Sequence, residues 1–279
     1  MVTINVIESF IIKEKICIIT GAGGLLGKKH AEAILEVEGI PILIDIDSEK
    51  LSRVAKFLEK KYNKKIHTFV CDITKKEELE KVRDVIMNAY GRIDVLINNA
   101  ANNPKVEENE NIESWSRFEN FSEKLWDKDL EVGLKGAFLC SKIFGTEMEK
   151  NRKGVILNIS SDLGIIAPDQ RIYANPNIEE ESQYVKPVTY SVVKHALLGL
   201  TKYLATYWAQ KGIRVNAICP GGVYNNQDDE FVVKLTNLIP MNRMATEDEY
   251  KGIIVFMVSD ASSYMTGSTV TIDGGRTCW

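Results

Sequence analysis

Short apolar runs alternate with longer amphipathic stretches along almost the whole chain, and that rhythm leaves few folds open. The runs at 16–20, 42–45, 67–70, 95–98, 155–159, 214–218 and 269–272 are rich in Ile and Val. Each is bounded by Gly, Pro, Asn or Asp, as expected of strands buried on both faces. Helical spacing over 50–62, 76–90 and 188–210 falls between them. Strand and helix in alternation imply βαβ units, hence an α/β, doubly wound domain with a seven-stranded parallel sheet and helices on both faces. No repeat, low-complexity tract or Pro/Gly linker divides the chain. One domain over 15–279 is expected, preceded by an N-terminal extension at 1–14.

Two segments break the alternation, 102–123 and 165–186, and both follow strands. In open α/β sheets ligands sit beyond the carboxyl ends of the strands, so both insertions are expected to wall a substrate site. The 279 residues carry 35 basic and 39 acidic side chains, a net charge of -4, with no clustered basic surface for nucleic acid. No apolar run approaches a membrane span, and the first residues lack the basic region of a signal peptide. The five cysteines are scattered and odd in number, none at metal-ligand spacing. A soluble, cytoplasmic protein is expected, with reduced thiols, no metal, and no nucleic-acid or membrane partner.

The first strand runs into Thr20-Gly21-Ala22-Gly23-Gly24-Leu25-Leu26-Gly27 and then into a helix from about Lys28. Glycines after a first strand and before a first helix let a pyrophosphate approach the helix N-terminus, as in a Rossmann dinucleotide fold. The second strand ends at Asp45, where a carboxylate can bond both hydroxyls of the adenine ribose. It would repel a 2′-phosphate, and neither Ile46 nor Asp47 supplies a cation, so NAD is expected over NADP. Ser48, better placed than Asp45, is expected to cap the next helix.

Tyr190 and Lys194 lie four apart on one helix face. An ammonium beside a phenol favours the phenolate and brings it towards the working range of an acid–base catalyst. The same spacing recurs at Tyr207 and Lys211, but Tyr190 opens its helix at the carboxyl edge of the sheet, whereas Tyr207 lies several turns further along. The second pair is therefore set aside. Ser161, at the end of the 155–159 strand, could bond a substrate carbonyl or alcohol beside Tyr190.

Together these residues resemble the short-chain dehydrogenase/reductase family in its compact branch, over nearly all of 15–275. The resemblance rests on 20–27, Asp45, Cys71-Asp72-Ile73, Asn98-Asn99-Ala100-Ala101, 158–161, 190–194, 216–223 and Ile272-Asp273-Gly274-Gly275. It implies hydride transfer between a nicotinamide and a carbinol or carbonyl carbon. Tyr190 would be the acid–base, Lys194 would lower its pKa and hold the nicotinamide ribose, and Ser161 would orient substrate. Gly21, Gly24, Leu25 and Leu26 would line the phosphates, and Asp72 and Ile73 would border the adenine. Asn99, Ala100, Ala101, Pro220, Gly221 and Val223 would line the rest of the cofactor. Members commonly form dimers or tetramers through long helices, so a homodimer or homotetramer is expected.

Three departures stand out. Leu25 occupies a position where the compact branch has glycine. Gly133 stands where the family usually has a catalytic asparagine. The interval from Ser161 to Tyr190 is longer than usual, and the excess is the 165–186 segment. Gln170 and Arg171 in that segment are expected to read a polar, sugar-type small-molecule substrate, Arg171 through a fork suited to phosphate or carboxylate. A narrower resemblance, in Asn102-Asn103-Pro104, 186–209, 221–229 and 265–279, is to oxidoreductases of bacterial flagellin-modification and nonulosonate sugar pathways. The alternatives are a reductase of a less polar keto substrate, and an NAD-binding protein whose catalysis is impaired by Gly133.

Overall fold

The structure is a computed structural model that describes residues 5–102 and 115–279. Its strands are β1 (Ile16–Thr20), β2 (Ile40–Asp45), β3 (His67–Val70), β4 (Val95–Asn98), β5 (Gly154–Ile159), β6 (Ile213–Pro220) and β7 (Thr269–Ile272). They form one parallel sheet in the order β3-β2-β1-β4-β5-β6-β7. The helices are α1 (Val6–Phe10), α2 (Leu25–Glu36), α3 (Ser48–Tyr62), α4 (Lys76–Tyr90), α5 (Glu123–Leu130), α6 (Gly136–Lys150), α7 (Val188–Trp208), α8 (Asp229–Thr236) and α9 (Lys251–Val258). Among the described residues no helix is long and apolar enough to cross a membrane.

Alternate residues along the central strands feed two apolar layers, which is why those strands read as continuous Ile/Val runs. Cys17, Ile19, Leu43, Ile97 and Leu157 face one layer, with Ile34 of α2, Leu58 of α3 and Met257 of α9. Ile16, Ile18, Ile42, Leu96 and Ile156 face the other, with Leu79 of α4, Phe144 of α6 and Trp208 of α7. Residues before β1 pack on the first layer. Ile12 is fully buried, and the Phe10 ring lies 6.3 Å from that of Phe256.

Two helix starts differ from expectation. Helix α2 begins at Leu25 rather than near Lys28, with Gly24 as its extended N-cap. A Cβ on Gly27 would lie 2.3 Å from the Gly21 carbonyl oxygen, so the first turn can fold back onto the loop only because residue 27 is glycine. Helix α3 is capped by Asp47, not Ser48. The Asp47 carboxylate accepts from the amides of Glu49 and Lys50.

The 165–186 insertion folds as short 3₁₀ turns over the carboxyl edge, with Tyr173 against Phe231 of α8 (5.5 Å between rings). Within the 102–123 insertion, residues 103–114 lie outside the described residues, and Asn103 and Pro104 of the narrower resemblance are among them. The part that follows packs against the other insertion. Ser116 Oγ accepts from the Val185 amide at 3.1 Å, and Arg117 donates to the Glu180 carbonyl at 2.7 Å.

Candidate active site

A cleft of about 350 Å³ opens where β1 and β4 lie side by side, the point at which the strand order reverses. Gly21, Gly24, Leu25, Leu26, Asp45, Asp72, Ile73, Asn99, Ala100 and Ala101 all line it. Gly21 has φ +63°, and a Cβ on it would meet Ala100 Cα at 2.7 Å. Gly24 caps α2 without a side-chain acceptor, so the first amides of the helix stay available to an external anion. Leu25, where the compact pattern has glycine, is among the residues that line the cleft.

Asp45 is held rigidly at the rim, accepting from the amides of Gly23 (2.8 Å) and Asp47 (2.9 Å). Lys50, a cation five residues beyond Asp45 and on α3 rather than beside it in sequence, also lines this cleft. Its ammonium is engaged with Asp47 at 3.0 Å. A glycine turn without a side chain in the way, uncapped helix amides and a fixed carboxylate are what a dinucleotide's pyrophosphate and ribose require, so these residues fit such a cofactor.

A second cleft of about 440 Å³ shares Leu25, Leu26, Asn99 and Ala101 with the first, so the two adjoin. Ser161, Tyr190, Lys194, Pro220, Gly221 and Val223 line it. The fold therefore brings together residues from the end of β5, the start of α7 and the end of β6. Lys194 Nζ donates to the Ile159 carbonyl at 2.9 Å and lies 5.7 Å from the Tyr190 ring centroid. Burial pushes the Lys194 ammonium down to about 8. Burial also holds the Tyr190 phenol above its ordinary range, while the Ser161 hydroxyl acts in the opposite direction. The expected pull of Lys194 on the phenol does not appear in this geometry, because the ammonium is committed to a backbone carbonyl and burial dominates.

Ser161 Oγ donates to Asp162 at 2.7 Å and accepts from the Leu163 amide at 3.2 Å. A serine hydroxyl has one proton, so this orientation turns a lone pair towards its other neighbours. Asp162 is itself buried, and burial raises its pKa. Nothing in the sequence reading singled it out, although it directly follows Ser161.

Gly133 lies in a π-helical turn, Glu131–Lys135, between α5 and α6. A Cβ there would lie 2.5 Å from Val193 Cγ1, so α7 packs where a side chain would otherwise begin. Beside it is a cavity of about 10 Å³, room for one water, lined by Asp129, Asn102, Thr189, Tyr190 and Lys194. The buried Asp129 carboxylate accepts from Asn102 Nδ2 at 2.5 Å and from the Thr189 hydroxyl.

Gln170 and Arg171 do not line the substrate cleft. The Gln170 amide closes on the backbone of Lys186, accepting from its N–H at 2.8 Å. The Arg171 side chain is 87% exposed and forks onto Asp169 at 2.6 and 2.9 Å, because a 3₁₀ turn sets the two residues side by side. Lys186, Asp169, Tyr173 and Arg276 face the cleft in their place. The Lys186 ammonium stands 3.9 Å over the Tyr190 ring, and burial pushes it down to about 8. Tyr207 is exposed and stacked on Tyr203 at the far end of α7, and Lys211 pairs with Glu149 at 3.0 Å.

The family model described as short chain dehydrogenase matches residues 15–174, and one described as enoyl-(acyl carrier protein) reductase matches 178–277. The chain is 32% identical to an NAD-dependent glycerol dehydrogenase of Listeria innocua, covering 97% of this chain and 96% of that one. It is 30% identical to post-translational flagellin modification protein A of Campylobacter coli, over 95% and 98% of the two chains. Among solved structures, a short chain dehydrogenase of Leptospira borgpetersenii with bound NAD+ superposes with a TM-score of 0.80 at 28% identity, covering 99% of this chain and 97% of that one.

Proposed function

Because this chain belongs to the short-chain dehydrogenase/reductase family, whose members are oxidoreductases acting on CH–OH or carbonyl groups, we propose that it is an NAD-dependent oxidoreductase of a polar, sugar-type substrate. The observation that carries this reading is that the two clefts adjoin, one shaped for a dinucleotide and the other holding Tyr190 and Ser161 beside Asp169, Lys186 and Arg276. When bound, the nicotinamide supplies the acceptor or donor of hydride. Tyr190 takes the proton from the substrate hydroxyl in oxidation and returns it in reduction. Ser161, whose proton lies on Asp162 in this structure, turns it to the substrate oxygen and so sets the angle of the hydroxyl, whose single proton goes to Tyr190. Lys194 positions the nicotinamide ribose from its anchor on Ile159. Asp45 accepts from the adenine ribose, which favours NAD. The similarity to an NAD-dependent glycerol dehydrogenase supports a polar, hydroxyl-bearing substrate.

The exposed rings of Phe138 on α6 and Tyr203 and Tyr207 on α7 support a homodimer or homotetramer built on these helices, which sedimentation would read directly.

Formation of reduced nicotinamide, followed by its near-ultraviolet absorbance with NAD and a panel of polyols, sugars and sugar phosphates, tests the reading. Tyr190→Phe should lose roughly 10²–10⁴ in turnover while keeping its affinity for NAD. Equal turnover by the variant would refute the role of Tyr190, and a preference for NADP would refute that of Asp45.

A further inference from the structure

Arg276 follows β7 through Gly274 and Gly275, both in the left-handed region (φ +65° and +90°). A Cβ on either glycine would press to 2.8 Å against Ile239 or Pro240, so the backbone bend after β7 depends on both being glycine. The bend returns the chain over the carboxyl edge, and Arg276 lines the substrate cleft while only 9% exposed.

Its guanidinium makes no hydrogen bond and no ion pair among the described residues, yet three carboxylates lie in its neighbourhood. The Arg276 charge acts on Asp162 and Asp169, but each carboxylate makes its hydrogen bonds elsewhere. Asp273 accepts from the amides of Gly275 (2.9 Å) and Thr277 (2.8 Å). Asp162 accepts from Ser161 Oγ (2.7 Å) and the Leu163 amide (2.8 Å). Asp169 holds the fork of Arg171. The unpartnered guanidinium nitrogens keep their contact with solvent inside the cleft, and five donors in a rigid fork suit an anion with paired oxygens. Lys186 and Lys194 add positive charge to the same cleft.

We infer that Arg276 is the anchor of an anion subsite in the substrate cleft, so that the substrate is a hydroxy or keto compound carrying a carboxylate or phosphate rather than a neutral polyol. The inference rests on the proposed function for the placement of the reacting carbon at Tyr190, and extends it to the substrate's charge.

Calorimetric titration tests it with and without NAD, using gluconate and tartrate as carboxylates, glycerol 3-phosphate as the phosphate and xylitol as the neutral control. At least one anion should bind the wild type more tightly than xylitol, and the stronger class identifies the source. Arg276→Gln should weaken that anion about tenfold or more, and Arg276→Lys should restore part of the loss, as a charged hydrogen bond does. Melting curves report whether each variant is folded. Should Arg276→Gln fail to fold, Arg276→Lys carries the test, with a loss of several-fold expected from the missing fork. Anions binding no better than xylitol, or equally to wild type and variants, would overturn the inference. Tyr190-dependent oxidation of neutral polyols alongside Arg276-independent anion binding would sink only this subsite. Arg276-dependent binding with no nicotinamide reduction on any substrate would sink the proposed reaction and leave the subsite standing.

Discussion

Gly133 offers the sharpest test of how α7 is seated. Replacing it with alanine in a helical turn should gain roughly 0.5–1 kcal/mol from backbone entropy. Against this, the new methyl would stand 2.5 Å from Val193 Cγ1 on a neighbouring helix, in a region where both residues are buried. Overpacking of that kind costs about 1–3 kcal/mol, so Gly133→Ala should be destabilising by a net ~0.5–2 kcal/mol. Val193→Ala alone removes two buried carbons and leaves a hole, worth roughly 1.5–2.5 kcal/mol. In the double variant the clash disappears and the new methyl partly fills the hole, so the two costs should fall short of their sum by ~1–2 kcal/mol. Urea midpoints of the four proteins at one concentration measure this coupling. Turnover should follow the same pattern, because Val193 adjoins Lys194 on the helix that carries Tyr190. Costs that add to within about 0.5 kcal/mol would show that α7 yields freely at this contact, and would refute the packing argument.

Other outcomes follow from the charges. Lys194 is held near 8 against an ordinary 10.5, so the unfolded chain binds its proton more readily and wild-type stability should rise with pH between those values. Lys194→Met should abolish turnover, stabilise the protein at neutral pH by on the order of 1–3 kcal/mol, and show a shallower rise in pH-dependent unfolding, the remainder coming from Lys186, which burial lowers to about 8 as well. Burial alone would raise the Glu32 carboxyl, but Lys61 at 2.8 Å and Lys29 at 3.1 Å hold it below its ordinary value. Its stabilisation is therefore present at neutral pH and lost on acidification. Glu32→Gln should cost roughly 2–4 kcal/mol at neutral pH and progressively less in acid, as read by urea unfolding across pH. Asp45→Ala should raise KM for NAD about tenfold and narrow the preference over NADP, and an unchanged ratio of the two would remove Asp45 from nucleotide selection.

Much of the architecture was legible because it is periodic. All seven strand runs are found in place, β2, β5 and β6 extending one or two residues beyond the apolar core of the run. Tyr190 could be preferred to Tyr207 because only one of them starts a helix at the carboxyl edge. Contacts made by folding were hidden. Arg171 looked like a substrate reader by position, but a 3₁₀ turn puts Asp169 within its reach, and the local pair forms at no chain-closure cost. Arg276 enters the cleft only because two left-handed glycines reverse the chain after β7. The reason for a glycine at 133 lies in Val193, on a helix remote in sequence, and no local pattern could announce that contact.

The strand order carries an evolutionary corollary. Nucleotide choice is written at the tips of β2 and β3, whereas the groups that line the substrate cleft alone come from β5 onwards, on the other flank of the sheet. The flanks meet at the β1–β4 seam, where Thr20 Oγ1 accepts from the amides of Asn99 and Ala100 and the Asn99 side chain donates to the carbonyls of Thr20 and Gly21. Such a lineage can exchange coenzyme preference and substrate repertoire as separate modules, each drifting without penalty to the other. Thr20 and Asn99 are the exception, since a change at either would be felt on both sides at once.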